Sequence, residues 1–198
     1  GEYFPATTGS YALASRQLLA GGLTAHYFDN QWLSGDPVVE RVDAAVDFDW
    51  GEGLITQYGR DYVSARWMGK IRPATTEDYT IFAYADEGVR VWIDHVKVID
   101  SWDVSSVEAW ATIGLTKNQF HDVRVEYKEE RNTANVHLYW SSNSVDKEVI
   151  PSTVLYRAEH IAGSPFALSV VPGAGDYPHT TASGPGLETP VAGIAAKF

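Results

Sequence analysis

The chain has 198 residues, with 15 basic and 26 acidic side chains, a formal net charge of −11 and no cysteine. The acidic balance argues against a nucleic-acid partner or an anionic membrane surface, because both need clustered lysine and arginine. The lack of cysteine excludes disulfides, thiolate metal sites and cysteine nucleophiles. No apolar run approaches the roughly 18 residues of a membrane span, so we expect no membrane insertion.

Short strands separated by turn residues dominate the middle of the chain. Alternating apolar and polar residues predict strands at Tyr62–Trp67, Asp78–Ala85, Gly88–Ile93, Val123–Tyr127 and Asn135–Trp140. We expect Gly69 to end the first of these strands, and the polar turn 129–133 to join the last two as a hairpin. A helix is predicted only at 151–157, where Pro151 suits a first helical position. This pattern indicates an all-β sandwich or barrel.

The same alternation assigns large side chains to the core or to solvent. Trp67, Trp92 and Trp140 lie in strand patterns and are predicted core residues. His137 alternates out of an apolar face and is predicted to face solvent. None of the six histidines has the spacing of a metal site, so a histidine-bound metal has no support.

Six stretches in the middle of the chain are similar, in the same order, to one known family. They are Gly22–Phe28, Arg66–Gly69, Asp78–Phe82, Ala85–Asp94, Val98–Trp102 and Val136–Trp140. Over residues 22–157 the chain resembles the protective-antigen fourteen-kilodalton domain, or PA14 domain, known from anthrax toxin, yeast flocculins and insertions in β-glucosidases. The resemblance implies an antiparallel β-sandwich that often binds carbohydrate at one end, through calcium in the lectin members.

The acidic segment Ala85–Gly88 is the part of this resemblance that bears on function. In the calcium-dependent lectins of the family, two adjacent acidic residues joined by a cis peptide hold the ion. The resemblance therefore implies that Asp86 and Glu87 are metal ligands and part of a carbohydrate site, with calcium as the cofactor. The lectins add an asparagine from a neighbouring loop, for which the candidates are Asn118, Asn132, Asn135 and Asn143.

The alternative for this segment is a plain hairpin turn. Acidic residues followed by glycine favour tight turns, because glycine accepts a positive φ. Trp102 and Asp103 lie on a segment that the family places near the acidic loop, and both are candidate carbohydrate-binding residues. Trp102 either stacks on a sugar face or serves as a core or lid residue.

The two ends of the chain resemble a different family. Tyr3–Leu13 is similar to the penultimate strand of a filamin-type immunoglobulin-like repeat, and Ile161–Val170 is similar to its last strand. We therefore predict that the sandwich is inserted between the last two strands of such a repeat, since exposed hairpin tips tolerate insertions. The alternative is that both flanks are ordinary linkers.

This insertion divides the chain into four parts. They are residues 1–21, the end of one repeat; 22–157, the sandwich; 158–172, the last strand of the repeat; and 173–198, a linker with the first strand of the next repeat. Unpaired strands would pair with neighbouring copies or adjacent repeats. The predicted assembly residues are Tyr11, Leu13, Pro165, Phe166, Leu168, Val170, Leu187 and Phe198.

No catalytic motif accompanies these features. The sequence has neither a Gly-x-Ser-x-Gly elbow nor a dinucleotide-binding glycine loop, so we expect a protein that is not an enzyme. The leading hypothesis is a structural or adhesive module of an extracellular or cell-surface protein or filament, with neighbouring copies and glycans as partners. The alternatives are a calcium-dependent carbohydrate-binding domain and an accessory module of a glycoside hydrolase.

Overall fold

The fold is described from a computed structural model, which describes residues 17–159. Within them, Leu18–Glu159 form one compact unit of thirteen strands and one short 3-10 helix, Ser152–Val154. The strands are β1 (Gln17–Ala20), β2 (Leu23–Phe28), β3 (Val39–Asp43), β4 (Asp47–Gly51), β5 (Val63–Ile71), β6 (Glu77–Ala85), β7 (Gly88–Ile93), β8 (Val96–Ser101), β9 (Ala109–Leu115), β10 (His121–Glu129), β11 (Ala134–Ser141), β12 (Glu148–Val149) and β13 (Leu155–Glu159).

The strands form two antiparallel sheets, as expected for the predicted all-β sandwich. The eight-stranded sheet has the order β1-β13-β5-β10-β7-β8, with β2 also paired to β5 and β3 paired to β2. The five-stranded sheet has the order β12-β11-β6-β9, with β4 also paired to β11. No helix within the described residues is long and apolar enough to cross a membrane.

The core lies between the inner faces of the two sheets. It is filled by the alternate residues of the central strands, among them Trp67 from the larger sheet and Trp140 from the smaller one. Both are buried, so their prediction as core residues is confirmed. The prediction for Trp92 is wrong, because its neighbours Val91 and Ile93 fill the core and Trp92 points to the outer face.

Gly69 does not end a strand, contrary to the prediction. Strand β5 continues through it to Ile71. An ideal Cβ on Gly69 would lie 2.2 Å from the carbonyl oxygen of Tyr156 and 2.6 Å from Leu23 Cδ2. Glycine is therefore needed here because the backbone of β13 packs closely against β5, and not because the chain turns.

The predicted hairpin across 129–133 is also wrong. Strand β10 pairs with β5 and β7 in the larger sheet, whereas β11 pairs with β6, β4 and β12 in the smaller one. The Asp86–Glu87 turn likewise joins β6 of the smaller sheet to β7 of the larger one, so it is not a hairpin turn either. Both connections cross from sheet to sheet.

These two crossings lie at the same end of the sandwich. The register of β6 on β11 pairs Ala85 with Val136, and the register of β10 on β7 pairs Lys128 with Gly88. The end of β6 is therefore near the start of β11, and the end of β10 is near the start of β7. This end of the sandwich, the crossover end, carries the acidic segment.

The predicted helix at 151–157 is wrong as well. Only Ser152–Val154 form a 3-10 turn, and the chain then enters β13, which pairs with β5. Pro151 has φ −76° and ψ 150°, an extended conformation outside the turn. Pairing with β5 outweighs the weak local preference for a helix.

The flanking predictions fall almost entirely outside the described residues. The immunoglobulin-like arrangement lies outside residues 17–159. So do all the predicted assembly residues, which are Tyr11, Leu13, Pro165, Phe166, Leu168, Val170, Leu187 and Phe198. Strand β1 pairs with β13, so the larger sheet includes four residues that precede the predicted start of the sandwich at residue 22.

Candidate functional site

Three carboxyl groups meet at the crossover end. Asp86 and Glu87 come from the connection between β6 and β7, and Glu129 is the last residue of β10. One ligand oxygen from each of these residues lies within 4.8 Å of the others. Two of the three were predicted from the sequence, and Glu129 was not.

Asp86 is held in place by hydrogen bonds from three other segments. Its backbone N donates to the carbonyl oxygen of Asn135 (3.2 Å) at the start of β11. The Ser106 hydroxyl donates to Asp86 Oδ1 (3.2 Å), and the Ser106 N donates to the Asp86 carbonyl oxygen (2.9 Å). The Thr133 hydroxyl donates to Asp86 Oδ2 (3.2 Å). The carboxylate therefore has a fixed position before any ligand arrives.

A chain of polar contacts joins Glu87 to the two other predicted site residues. Glu87 Oε2 accepts a hydrogen bond from the backbone N of Glu130 (2.9 Å). The Glu130 side chain accepts one from Lys128 Nζ (3.0 Å), which also donates to Asp103 Oδ1 (3.2 Å). Lys128 Nζ lies 5.5 Å from the centre of the Trp102 ring. The structure thus brings all four predicted residues to the crossover end.

Trp102 is already in contact with another side chain. The Arg90 guanidinium carbon lies 3.8 Å from the centre of the Trp102 ring, a cation–π contact. The ring is half-buried, and Asp103 beside it is exposed. Trp102 therefore forms part of the outer surface of the larger sheet at its crossover end, and not part of the core.

Glu129 is the least satisfied polar side chain at this end. It is fully buried, and within residues 17–159 it accepts one hydrogen bond, at Oε2 from the Tyr127 hydroxyl (2.6 Å). Its other oxygen, Oε1, has no hydrogen-bond partner. The pKa of Glu129 is raised to about 9, chiefly by burial; the Tyr127 hydrogen bond lowers it, and the side-chain contact with Glu87 and the charges of Glu87 and Asp86 raise it. Burial and Glu129 also raise the pKa of the Tyr127 hydroxyl, which stays a donor.

Asn135 contacts the acidic segment through its backbone. Its backbone carbonyl is bonded to Asp86, and its side-chain Oδ1 is buried without a hydrogen-bond partner. Asn132 lies on the same crossover connection. Asn118 is bonded to Pro73, and Asn143 lies beyond the end of β11, so both are at the opposite end of β6. Of the four candidates, Asn135 has the contact with the acidic segment.

Glu129 had a signal in the sequence that the predicted turn concealed. The alternation of Val123, Val125 and Tyr127 continues to Glu129 and places it on the inner face of β10. Ser106 and Thr133 carry no comparable signal, because loop residues acquire their contacts only in the folded chain.

The connection differs from the lectin pattern in its backbone. No peptide bond in residues 17–159 is cis, so the Asp86–Glu87 bond is trans. Gly88 does not have the positive φ expected of a turn glycine. Instead, an ideal Cβ on Gly88 would lie 2.4 Å from the Trp102 carbonyl oxygen, so glycine allows two backbone segments to approach closely.

The donor set at the crossover end suits a hard cation. Asp86, Glu87 and Glu129 supply carboxylate oxygens, the ligand type that calcium prefers. Glu129 Oε1, a buried oxygen without a partner among the described residues, has capacity to coordinate an ion. The residues present therefore fit calcium.

Comparison with known proteins places this chain in a family. The sequence profile of the PA14 domain matches residues 19–153. The chain is 41% identical over 140 residues to the anti-sigma-I factor RsgI3 of Acetivibrio thermocellus, a match that covers 70% of this chain and 22% of that protein. It is 31% identical over 101 residues to protective antigen of Bacillus anthracis, with 50% and 13% covered. The chain thus spans less than a quarter of either relative.

Solved structures give the same fold. An anti-sigma factor domain-containing protein from Clostridium clariflavum matches with 37% identity and a TM-score of 0.65, over 73% of this chain and 50% of that chain. A PA14 sugar-binding domain from an RTX adhesin matches with 13% identity and a TM-score of 0.59, over 72% and 100%. The epithelial adhesin 9 A domain of Candida glabrata, in complex with Galb1-4GlcNAc, matches with 10% identity and a TM-score of 0.58, over 74% and 93%. The last two likenesses concern the fold alone.

Proposed function

Because this chain belongs to the PA14 domain family, we propose that it is a carbohydrate-binding module without catalytic activity, and that calcium at the crossover end takes part in binding the sugar. The observation that carries the proposal is Glu129. This carboxyl group is fully buried beside two other carboxylates, and one of its oxygens has no partner.

A purely structural role explains Glu129 poorly. A buried polar atom without a partner costs about 1–3 kcal/mol, and a hydrophobic residue of similar size would avoid that cost. A cation favours the ionised carboxyl group and offsets the repulsion from Asp86 and Glu87. The cost of burying Glu129 is then recovered when the ion binds.

The ligands supplied by the protein would not complete the shell of a calcium ion. Asp86, Glu87 and Glu129 offer three carboxyl groups, whereas calcium takes six to eight oxygens. Sugar hydroxyls are suitable oxygen ligands for the positions that remain. In this way the ion would give the site its affinity for carbohydrate, while the protein holds and orients the ion.

Trp102 and Asp103 would contribute at the rim of this site. Asp103 is exposed and is connected to Glu87 through Lys128 and Glu130. Trp102 is half-buried, with Arg90 3.8 Å and Lys128 Nζ 5.5 Å from the centre of its ring, and part of its surface remains accessible. Its apolar surface suits the C–H face of a sugar ring. The structure of the same fold from an RTX adhesin is a sugar-binding domain, which supports the proposal.

The first experiment is a calcium titration of the 198-residue chain followed by thermal unfolding. An ion that binds only the native state stabilises it by about 2.7 kcal/mol at a hundredfold excess over Kd, so the Tm should rise by several degrees. Asp86→Asn keeps the shape of the side chain and should abolish the rise. Asp146→Asn, at an exposed acidic residue beyond the opposite end of β11, is the matched control and should preserve it. An equal rise in both variants would refute the site.

The second experiment identifies the sugar that the chain binds. The chain is applied to a glycan array in calcium and again in EDTA, with Asp86→Asn in parallel. Signals that require both calcium and Asp86 support the proposal. Glycan binding that is equally strong in EDTA would show that the calcium part of it is wrong.

The location and the larger assembly remain part of the proposal. The named relatives of this fold include adhesins and anti-sigma factors, and this chain corresponds to only part of the longer ones. We propose display on the outside of the cell, where carbohydrate is available as a ligand. Protease accessibility of the full-length protein on intact cells tests this. A structural or adhesive role through the flanking strands stays a prediction.

A further inference from the structure

Three arginines on the outer face of the larger sheet surround one glutamate. Glu126 of β10 lies between Arg66 of β5 and Arg90 of β7 in the strand register. Arg66 Nε donates to Glu126 Oε1 (2.9 Å), and an Arg90 terminal nitrogen donates to Glu126 Oε2 (2.6 Å). Arg124 Nε lies 3.8 Å from Glu126 Oε1. One carboxylate therefore faces three guanidinium groups.

The charges of this cluster do not cancel. Glu126 balances one of the three arginines, so these four side chains together carry a charge of +2 in a chain whose net charge is −11. Asp100, which pairs with Arg90 across β7 and β8, is itself bonded to Lys97. Like charges held close together repel each other, and an anionic ligand relieves that repulsion. The cluster therefore has the opposite sign to the protein as a whole.

Tryptophan rings hold two of these arginines in position. The Arg124 guanidinium carbon lies 3.8 Å from the centre of the Trp92 ring, and that of Arg90 lies 3.8 Å from the centre of the Trp102 ring. Stacking on a ring orients the planar guanidinium group while its N–H donors remain available at the edge. The side chains are ordered without a ligand, so little conformational entropy is lost on binding.

Arg124 is the most accessible member of the cluster. Its side chain is 44% exposed, against 28% for Arg66 and 26% for Arg90. Its distance to Glu126 is too long for a hydrogen bond. The exposed Arg124 guanidinium thus retains donors that the described part of the protein does not satisfy.

We propose that this arginine–tryptophan face, formed by Arg66, Arg90, Arg124, Trp92 and Trp102, binds an acidic polysaccharide whose sugar units carry carboxylates. The proposal rests on the proposed carbohydrate-binding function and names its ligand class. A guanidinium group matches a carboxylate with two parallel hydrogen bonds, and the tryptophans offer apolar surface to the sugar rings. A neutral polysaccharide would gain nothing from the unbalanced charge.

The face is continuous with the crossover end. Trp102 contacts Arg90, and Lys128 lies above the Trp102 ring and bonds to Asp103. An extended polysaccharide on the sheet would therefore reach the rim of the proposed calcium site. The arginines themselves need no calcium, which separates the two proposals experimentally.

The test is calorimetric binding of a glucuronic acid hexamer to the 198-residue chain in EDTA at low salt, beside the same hexamer with its carboxyl groups reduced to alcohols. The acidic form should bind and the reduced form should bind at least roughly tenfold more weakly, because charge-assisted hydrogen bonds are lost. Added salt should weaken the binding of the acidic form.

Arg124→Gln tests the residue, and Lys147→Gln is its matched control. Both remove one positive charge, and the two side chains are 44% and 42% exposed, but Lys147 lies by the smaller sheet, where it pairs with Glu108. Arg124→Gln should lower affinity for the acidic hexamer roughly tenfold, and Lys147→Gln should leave it unchanged. Circular dichroism confirms that both variants are folded.

Three results would overturn this inference. They are no binding of the acidic hexamer, equal binding of the acidic and reduced forms, and equal effects of the two variants. Its failure is distinguishable from failure of the calcium site. If glycan binding requires calcium and disappears in Asp86→Asn, the calcium site stands even when the hexamer does not bind in EDTA. If the hexamer binds in EDTA and no glycan binding requires calcium, only the arginine–tryptophan face stands.

Discussion

Asp43 and Glu129 are both carboxyl residues buried in the sandwich, with exposed fractions of 7% and 0%, but their surroundings differ. Asp43 accepts hydrogen bonds from the Tyr27 hydroxyl (2.5 Å), Trp67 Nε1 (2.8 Å) and Arg41 Nε (2.7 Å). Glu129 accepts one, from Tyr127, and its second oxygen has none.

The difference separates a structural carboxylate from a candidate ligand. Asp43 has both oxygens bonded and an arginine beside it, so its charge is compensated within the fold. Burial and the Asp43 carboxylate raise the pKa of the Tyr27 hydroxyl, which stays a donor. Glu129 has no cationic partner and lies near two other carboxylates. Its charge is therefore not compensated within the described residues, and the raised pKa favours the protonated form.

The largest expected effect on stability is at Asp43, the structural carboxylate. Asp43→Ala leaves the buried donors of Tyr27 and Trp67 without an acceptor and Arg41 without its partner. We expect the free energy of unfolding to fall by about 3–5 kcal/mol. Urea unfolding measures it, with the exposed Asp36→Ala as control. A loss below about 1 kcal/mol would mean that the network does not hold the sandwich together.

Glu129→Gln should change the free energy of unfolding in the opposite direction. Without calcium, it removes a carboxyl group whose charged form is disfavoured, so at about pH 8 it should stabilise the domain by roughly 1–3 kcal/mol. The same variant should lose the calcium-dependent rise in Tm. A variant that is less stable than the parent and still responds to calcium would make Glu129 structural, like Asp43.

The pH dependence of stability sharpens the same contrast. The pKa of Glu129 is raised to about 9 in the folded chain, so between its ordinary value and about pH 9 the unfolded state binds fewer protons than the folded state. The contribution of Glu129 is therefore fully favourable at low pH and is lost as the pH rises through this range. Urea unfolding of the calcium-free protein should show this decline, and Glu129→Gln should lack it. An identical decline in both proteins would assign it to other groups.

Gly88→Ala tests whether the acidic connection must stay compact. An ideal Cβ would lie 2.4 Å from the Trp102 carbonyl oxygen and 2.6 Å from the Lys128 side chain. We expect a loss of about 1–3 kcal/mol and a weaker calcium response, because the segments around Asp86 must move apart. Unchanged calcium affinity with lowered stability would show that the position of Trp102 does not influence the ion site.

His95→Gly should have the smallest effect. It changes a turn between two strands of the same sheet, whereas the Asp86–Glu87 connection crosses between the sheets. Asp94 and His95 join β7 and β8 within one sheet, with φ of 47° and 67°, so two non-glycine residues adopt left-handed conformations. Glycine at position 95 should stabilise the domain by up to about 1 kcal/mol without altering the calcium response. Thermal unfolding with and without calcium measures both; a changed calcium response would contradict the local role of this turn.

The sequence by itself determined five of the thirteen strands, β5, β6, β7, β10 and β11, and the buried face of most of their residues. Gly88–Ile93 has the predicted bounds, and the burial of Trp67 and Trp140 follows from a period of two. The acidic pair Asp86 and Glu87 was identified from the sequence as well, through residues that are contiguous in the chain. These features are local, so a sequence can display them.

Only the tertiary structure decided which strands pair and what meets at their ends. Alternation assigns a side chain to a face but does not specify the partner strand, because pairing depends on contacts between distant parts of the chain. For this reason β10 and β11 were predicted as a hairpin, although they belong to different sheets. The same crossing brings Glu129 beside Asp86, and the register of β7 on β10 brings Arg90 beside Glu126. Both proposed binding surfaces arise from pairings between strands that are distant in sequence, and such pairings form only when the chain folds.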